Sequence, residues 1–262
     1  MDLTLSEKQL EYRDRARALA TAHLLPGYRD RERAGRIEPE LRREMGAAGL
    51  IGPEIPVEHG GRGLDRLTAG LVIEEVGRGD INVAYLQVVG SLVGQIIAAN
   101  AAPEVAGHWV PRICAGEDVV GIGLTEPHAG SDAGSPRLTA VRDGNDWVLS
   151  GSKSLSFARD AAAVVVFART GPSEQRGKDI SAFLVPLDLP RVTREPMDDM
   201  GTRAVGRGLP TSATCGSRAT TCSARKTAGS ARSCTASTTA ARSSGCSASG
   251  ARSRPSTRRG RT

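Results

Sequence analysis

Gly123-Leu124-Thr125-Glu126-Pro127-His128-Ala129-Gly130-Ser131-Asp132-Ala133-Gly134-Ser135 follows the first β-rich run of the chain, Val119–Leu124. A strand that empties into a glycine-bearing turn can bring backbone N–H groups close to a planar or anionic ligand. Gly130 and Gly134 remove side-chain bulk there, and the Thr125 and Ser131 hydroxyls add directional hydrogen bonds. The same residues also read as a solvated β-turn capped by Asp and Ser side chains. Residue chemistry alone leaves both readings open.

Downstream of this stretch, short β-rich runs recur at 138–142, 147–149, 163–168 and 182–187, punctuated by turn residues such as Asp143-Gly144-Asn145. Upstream, the pattern is helical. Ser6 with Gln9 makes a capping box, and the run that follows is expected to stop at Pro26-Gly27. Pro39 suits the first turn of a second helix ending at Gly49, and a loop then runs to Gly63. Residues 67–76 and 81–99 read as two more helices, the second aliphatic enough to be buried on most sides. Pro103 opens another, carrying Trp109 and Ile113. The fold class is therefore α+β. A helical domain over 1–115 precedes a β-barrel-like domain over 116–206, and a tail occupies 207–262.

The tail differs in kind from the body. Of 262 residues, the first 200 hold all 29 acids, whereas the last 62 hold 12 Lys and Arg and no acid, so the net charge of +6 hides a negative body and a positive tail. From Pro210 onward there is no Val, Ile, Leu, Met, Phe, Trp or Tyr. Ordering such a segment costs roughly 1–2 kcal/mol per residue in backbone entropy with little apolar burial to offset it, so it is expected to be disordered. Four of the five cysteines, Cys215, Cys222, Cys234 and Cys246, lie there without a CxxC pair or a nearby His, and no metal is expected. The body's single Cys114 points to a reducing, cytoplasmic compartment. No secretion signal and no apolar run near the roughly 20 residues of a membrane span are evident, so no membrane partner is expected. A basic Arg/Ser tail could bind RNA, yet it lacks interleaved aromatics for stacking, and no nucleic acid is expected.

Three further features have plain readings. Gly60-Gly61-Arg62-Gly63 does not lie between a strand and a helix, so a turn is expected rather than a phosphate loop. His59 and His128 are single loop histidines, read as solvated. Glu74 and Glu75 read as a solvated helix end.

The string at 123–135, taken whole, resembles the G-L-T-E-x-x-x-G-S-D-x-x-x-S signature of FAD-dependent acyl-CoA dehydrogenases. His59–Asp65, Glu74–Asp80 and Trp147-Val148-Leu149-Ser150-Gly151-Ser152-Lys153, a W-x-L-x-G-x-K run, extend the likeness over residues 1 to about 206. The resemblance implies FAD as cofactor, with Leu124, Thr125 and Gly130 at the flavin and Ser131 at both the flavin and the acyl-CoA substrate. It implies a second flavin segment at Leu155 and Ser156, with Ser156 supplying a hydroxyl to the N5 side and Ser154 as the alternative. The segment 154–157 is one residue shorter than the usual pattern and lacks its Trp. The implied partners are an electron acceptor such as an electron-transfer flavoprotein and, in the family, further copies of the chain.

The resemblance implies a catalytic Asp or Glu in a C-terminal helical bundle or in the helix just before it. No acid follows Asp199, so no catalytic residue is named, the bundle is expected to be missing, and activity is expected to be impaired. Reading 209–250 two bases later with GC-rich codons writes a family-like V-R-V-P strand and helix, which points to a frameshift near Gly208. The run 156–171 resembles members acting on alicyclic acyl-CoA such as cyclohexanecarboxyl-CoA. The competing expectation is a non-catalytic binding or assembly module on the same fold.

Overall fold

The structure, a computed structural model, describes residues 4–144, 146–171, 179–189, 192 and 194–209, with 211–215 traced as backbone. Helix α1 (Glu7–Leu19) starts on the expected capping box. Gln9 N donates to Ser6 Oγ at 3.3 Å, and Ser6 N donates to Gln9 Oε1 at 2.9 Å.

The helix does not stop at Pro26-Gly27. A π-turn at Ala20–Leu24, in which Leu25 N donates to Ala20 O, carries the chain directly into α2 (Leu25–Ala34). Proline is excluded from helix interiors by its missing N–H and its ring, but the widened turn puts Pro26 at the start of α2, where no donor is needed. Helix α2 then ends on Gly35 at φ +64°.

Helix α3 (Pro39–Ala47) ends before Gly49, whose φ is +70°. The GGxG segment is a turn: Gly60 and Gly63 have φ of +86° and +61°, and a Cβ on Gly61 would overlap the Ile55 carbonyl. Asp65 caps α4 (Arg66–Gly79) through Thr68 N at 2.9 Å, and Asp80 caps α5 (Ile81–Asn100) through Asn82 N at 2.9 Å. Helix α5 has 20 residues and a mean hydropathy of 1.6, so by length and composition it is long and apolar enough to cross a bilayer, against the expectation that no run approached that length. Most of it is buried between the other helices and the sheet, as a core helix is. Helix α6 (Pro103–Cys114) completes the helical domain.

Glu75 is not solvated. Its side chain is buried and takes two hydrogen bonds from Arg17 of α1, at 2.7 and 3.1 Å, whose guanidinium holds the carboxyl below the usual range. Packing of α1 on α4 brings the two together across 58 residues of chain. Glu74 does face solvent, paired with Arg78 one turn on. A second pair is deeper: Arg31 Nε lies 2.6 Å from Asp80 Oδ2, and Arg31 also donates to the carbonyls of His23 and Leu24 beside the π-turn. The next residue, Glu32, receives the Arg203 N–H at 3.0 Å and an Asn82 amide, tying α2 to the second domain.

That domain is a curled sheet of strands β1 (Val120–Gly123), β2 (Thr139–Asp143), β3 (Asp146–Ser152), β4 (Ala163–Arg169), β5 (Ile180–Pro186), β6 (Glu195–Pro196), β7 (Gly208–Leu209) and β8 (Thr211–Cys215). Strand β4 carries β5 antiparallel along one edge. Along the other it carries β1 in parallel and then meets β2 at Thr139↔Arg169. Strands β2 and β3 form a hairpin whose far edge takes β8, while β6 and β7 pair separately. Strand β4 is buried along nearly its whole length, consistent with its unbroken Val-Val-Val-Phe-Ala run.

The expectation of disorder from 207 onward is corrected as far as 215. Gly208–Leu209 and Thr211–Cys215 are strands, because a ladder is built from main-chain N–H and C=O groups and needs no apolar side chains to form. The rest of the tail, from 216, lies outside the described residues.

Candidate active site

Strand β1 delivers the 123–135 stretch to one end of the sheet. It can lie close under the 154–157 segment because Gly121 and Gly123 have no side chains: a Cβ on Gly121 would sit 2.5 Å from Ser156 O, and one on Gly123 would sit 2.9 Å from Leu155 Cδ2. Past the strand, the chain reverses through Pro127-His128. Glu126 and Ala129 exchange both backbone hydrogen bonds at 3.0 Å.

The carboxylate of Glu126 points inward. Its Oε1 lies 2.7 Å from Lys153 Nζ, and it accepts the backbone N–H groups of Arg137 at 2.8 Å and Leu138 at 3.1 Å. Both side chains are almost fully enclosed, at 3% and 2% exposure. Lys153 also donates to the Leu124 carbonyl at 3.1 Å. Burial pushes the Glu126 carboxyl up, but the Lys153 ammonium and the two N–H donors outweigh it and hold the carboxyl below its ordinary value. Burial draws the Lys153 ammonium down, and the facing carboxylate opposes that.

A main-chain bond from Ser154 N to Thr125 O at 2.7 Å joins the two segments directly. Leu155 then exchanges both backbone bonds with Gly208, at 2.8 and 3.0 Å, and Phe157 N donates to Val205 O. Phe157 has φ +56°, a conformation uncommon for a side-chain-bearing residue. Its ring lies 5.9 Å from that of Tyr85 on α5, which places the helical domain against the same turn. The Tyr85 phenol is raised by burial and is within reach of Ser156.

The expected site residues divide into two groups. Leu124, Thr125, Gly130 and Ser131 share one open loop: Leu124 is half-buried, and the other three are exposed. A Cβ on Gly130 would meet nothing within 4 Å, and among the described residues the Thr125 and Ser131 hydroxyls make no hydrogen bond. Leu155 and Ser156 are buried beneath, with Ser156 Oγ accepting the Ile122 N–H at 3.4 Å. Ser154, half-buried, sits beside Thr125. His128 is exposed, as expected, and touches the loop on both sides of its ring. Its Nδ1 is 3.5 Å from Glu126 Oε2, and its Nε2 is 3.4 Å from Ser135 O.

Sequence reasoning passed over Glu126, Lys153 and Tyr85. The signal for the first two was present, an acid at the mouth of a strand and a lysine closing an apolar W-x-L-x-G-x-K run.

Residues 6–117 match the acyl-CoA dehydrogenase N-terminal domain, and residues 121–214 match the acyl-CoA dehydrogenase middle domain. The chain belongs to the acyl-CoA dehydrogenase family. Among its relatives, the probable acyl-CoA dehydrogenase YngJ of Bacillus subtilis (strain 168) is 31% identical over 207 residues, 78% of this chain and 54% of that protein. The short-chain specific acyl-CoA dehydrogenase of Bos taurus mitochondria is 36% identical over 203 residues, 76% of this chain and 49% of that one. A glutaryl-CoA dehydrogenase from Mycobacterium smegmatis superposes with a TM-score of 0.79 at 27% identity, over 92% of this chain and 60% of that one; a second structure under the same name is in complex with FADH2. The chain spans about half the length of the curated relatives it matches. The helical domain followed by a curled sheet is the architecture this family shares.

Proposed function

We propose that residues 4–215 form the FAD- and acyl-CoA-binding half of an enzyme that removes hydrogen from the α and β carbons of an acyl-CoA thioester. The observation that carries this reading is the open loop at 124–131, held from beneath while its Thr125 and Ser131 hydroxyls find no partner among the described residues. The fit to a flavin rests on the same face: Gly130 leaves room for a ring to approach, and Leu124 offers an apolar surface beside the Thr125 hydroxyl.

FAD, when bound, supplies the hydride acceptor for the β-hydrogen. The chain's own contribution is binding and orientation. Leu124, Thr125 and Gly130 shape the cofactor face, Ser131 contacts both the cofactor and the acyl-CoA, and Ser154 adds a hydroxyl beside Thr125. Leu155 and Ser156 form the floor. Glu126 is no base for the α-proton, because its carboxylate is enclosed and already bound by Lys153 and two N–H groups. The base is assigned to the part of the enzyme that the matched relatives have in their other half. An electron-transfer flavoprotein is the proposed acceptor of the electrons, self-association the proposed assembly, and the cytoplasm the proposed location, in line with the free buried Cys114.

Titration of the purified chain with FAD, followed by flavin fluorescence, tests the reading. Saturable binding is expected, and Gly130→Val should weaken it at least ~10-fold without loss of folding, since the added side chain meets only open space. Absence of saturable binding up to ~1 mM FAD would sink the proposal and favour a non-catalytic assembly module.

A further inference from the structure

We infer that Glu126 and Lys153 act as a positioning pair for the cofactor face, fixing the loop at 124–131 relative to the 153–157 segment. The inference rests on the proposed flavin-binding role of that face.

Each partner holds something besides the other. The Glu126 carboxylate gathers the N–H groups of Arg137 and Leu138, where the chain returns to enter β2. The Lys153 ammonium grips the Leu124 carbonyl, one peptide away from the Thr125 carbonyl that takes the Ser154 N–H. Three stretches of chain, 124–126, 137–138 and 153–154, are therefore tied together at and beside one ion pair. Apart from these bonds, the Glu126–Ala129 reversal and the His128 contacts to Glu126 and Ser135, the exposed part of the loop has little to hold it: a Cβ on Gly130 would meet nothing within 4 Å, and Ser131 makes no hydrogen bond among the described residues.

An enclosed ion pair is a poor device for stability alone. Desolvating two charges cancels much of their attraction, and apolar residues of similar volume often serve as well. What apolar residues cannot do is accept two backbone N–H groups and donate to a carbonyl. The pair thus contributes directional bonds to the loop, and its removal as a unit should loosen the loop more than the fold. This is the behaviour expected of a supporting shell that holds binding groups in place without touching the ligand.

The double variant Glu126→Leu/Lys153→Met separates the two roles. In the flavin-free protein, its melting temperature is expected to stay within about 4 °C of the parent. Amide hydrogen exchange at residues 124–131 should rise at least ~10-fold while exchange in α5 and β4 is unchanged. FAD affinity should fall at least ~10-fold. The single variant Lys153→Met, which leaves a carboxylate enclosed without its cation, should lower the melting temperature more than the double variant does.

Unchanged exchange and unchanged FAD affinity in the double variant would overturn the inference. So would failure of both Glu126→Leu/Lys153→Met and Glu126→Gln/Lys153→Met to fold, because the pair would then be a requirement of the fold. If the parent itself binds no FAD, the proposed function falls, and the exchange measurement still decides whether the pair fixes the loop.

Discussion

Arg31→Met should strongly destabilise the helical domain. The Arg31 side chain is 4% exposed and its partner Asp80 is fully enclosed, with 2.6 Å between Nε and Oδ2. Methionine keeps much of the stem volume, so the change removes charge and donors rather than packing. Asp80 would retain the Asn82 backbone and side-chain donors, at 2.9 and 3.0 Å, but no cation. The carbonyls of His23 and Leu24 would lose their guanidinium donor in the same step. Breaking a buried pair from one side costs about 3–5 kcal/mol. For a folded unit of this size each kcal/mol lowers the melting temperature by about 2–4 °C, giving a drop of ~6–20 °C. Thermal unfolding followed by far-ultraviolet circular dichroism reads it directly. Adding Asp80→Asn should recover at least half of the loss, since the orphaned charge is then gone. A melting temperature within about 2 °C of the parent for Arg31→Met alone would refute the reasoning, by showing that the pair is hydrated or dispensable.

Two further outcomes follow from the sheet and the core. Gly121→Ala would put a Cβ 2.5 Å from Ser156 O, backbone that cannot rotate away, so β1 or the 155–157 turn must shift; a loss of about 1–3 kcal/mol is expected in urea titration, against none for Gly107→Ala, where nothing lies within 4 Å. Cys114 is buried, and burial pushes its thiol up to about 11, so alkylation by iodoacetamide at neutral pH, mapped by peptide mass spectrometry, should spare it in the native protein and modify it only in denaturant.

What was legible in the sequence was what local chemistry decides. Ser6 and Gln9 cap α1, Pro39 opens α3, Gly49 turns the chain, and the aliphatic run of α5 is buried as its composition requires. The strand-to-loop passage at 123–135 was legible because its glycines and hydroxyls lie in one stretch. Most of the errors share a cause, a partner distant in the chain; the one at Pro26 is local. Glu75 reads as a surface acid until α1 brings Arg17 to it. Pro26 reads as a stop until a widened turn moves it to a helix start, with Arg31 serving the carbonyls nearby. Glu126 and Lys153 stand 27 positions apart, and neither neighbourhood alone predicts that both will be enclosed. The strand at 211–215 was missed because its composition says nothing about the main-chain edge that β3 offers it.

The π-turn at Ala20–Leu24 has a meaning for how this helix varies between relatives. A π-turn is an α-helix holding one surplus residue, and the surplus is absorbed locally, so everything downstream keeps its angular setting. A homologue lacking one residue here, and the proline that the widened turn accommodates, would show an unbroken α-helix and a single gap in alignment, with its counterpart of Arg31 still aimed at the α4–α5 corner. Length polymorphism at this point is therefore silent for the tertiary fold. The same one-residue change placed in α5, enclosed on most sides, would turn the following residues by about 100° and carry polar positions into the core.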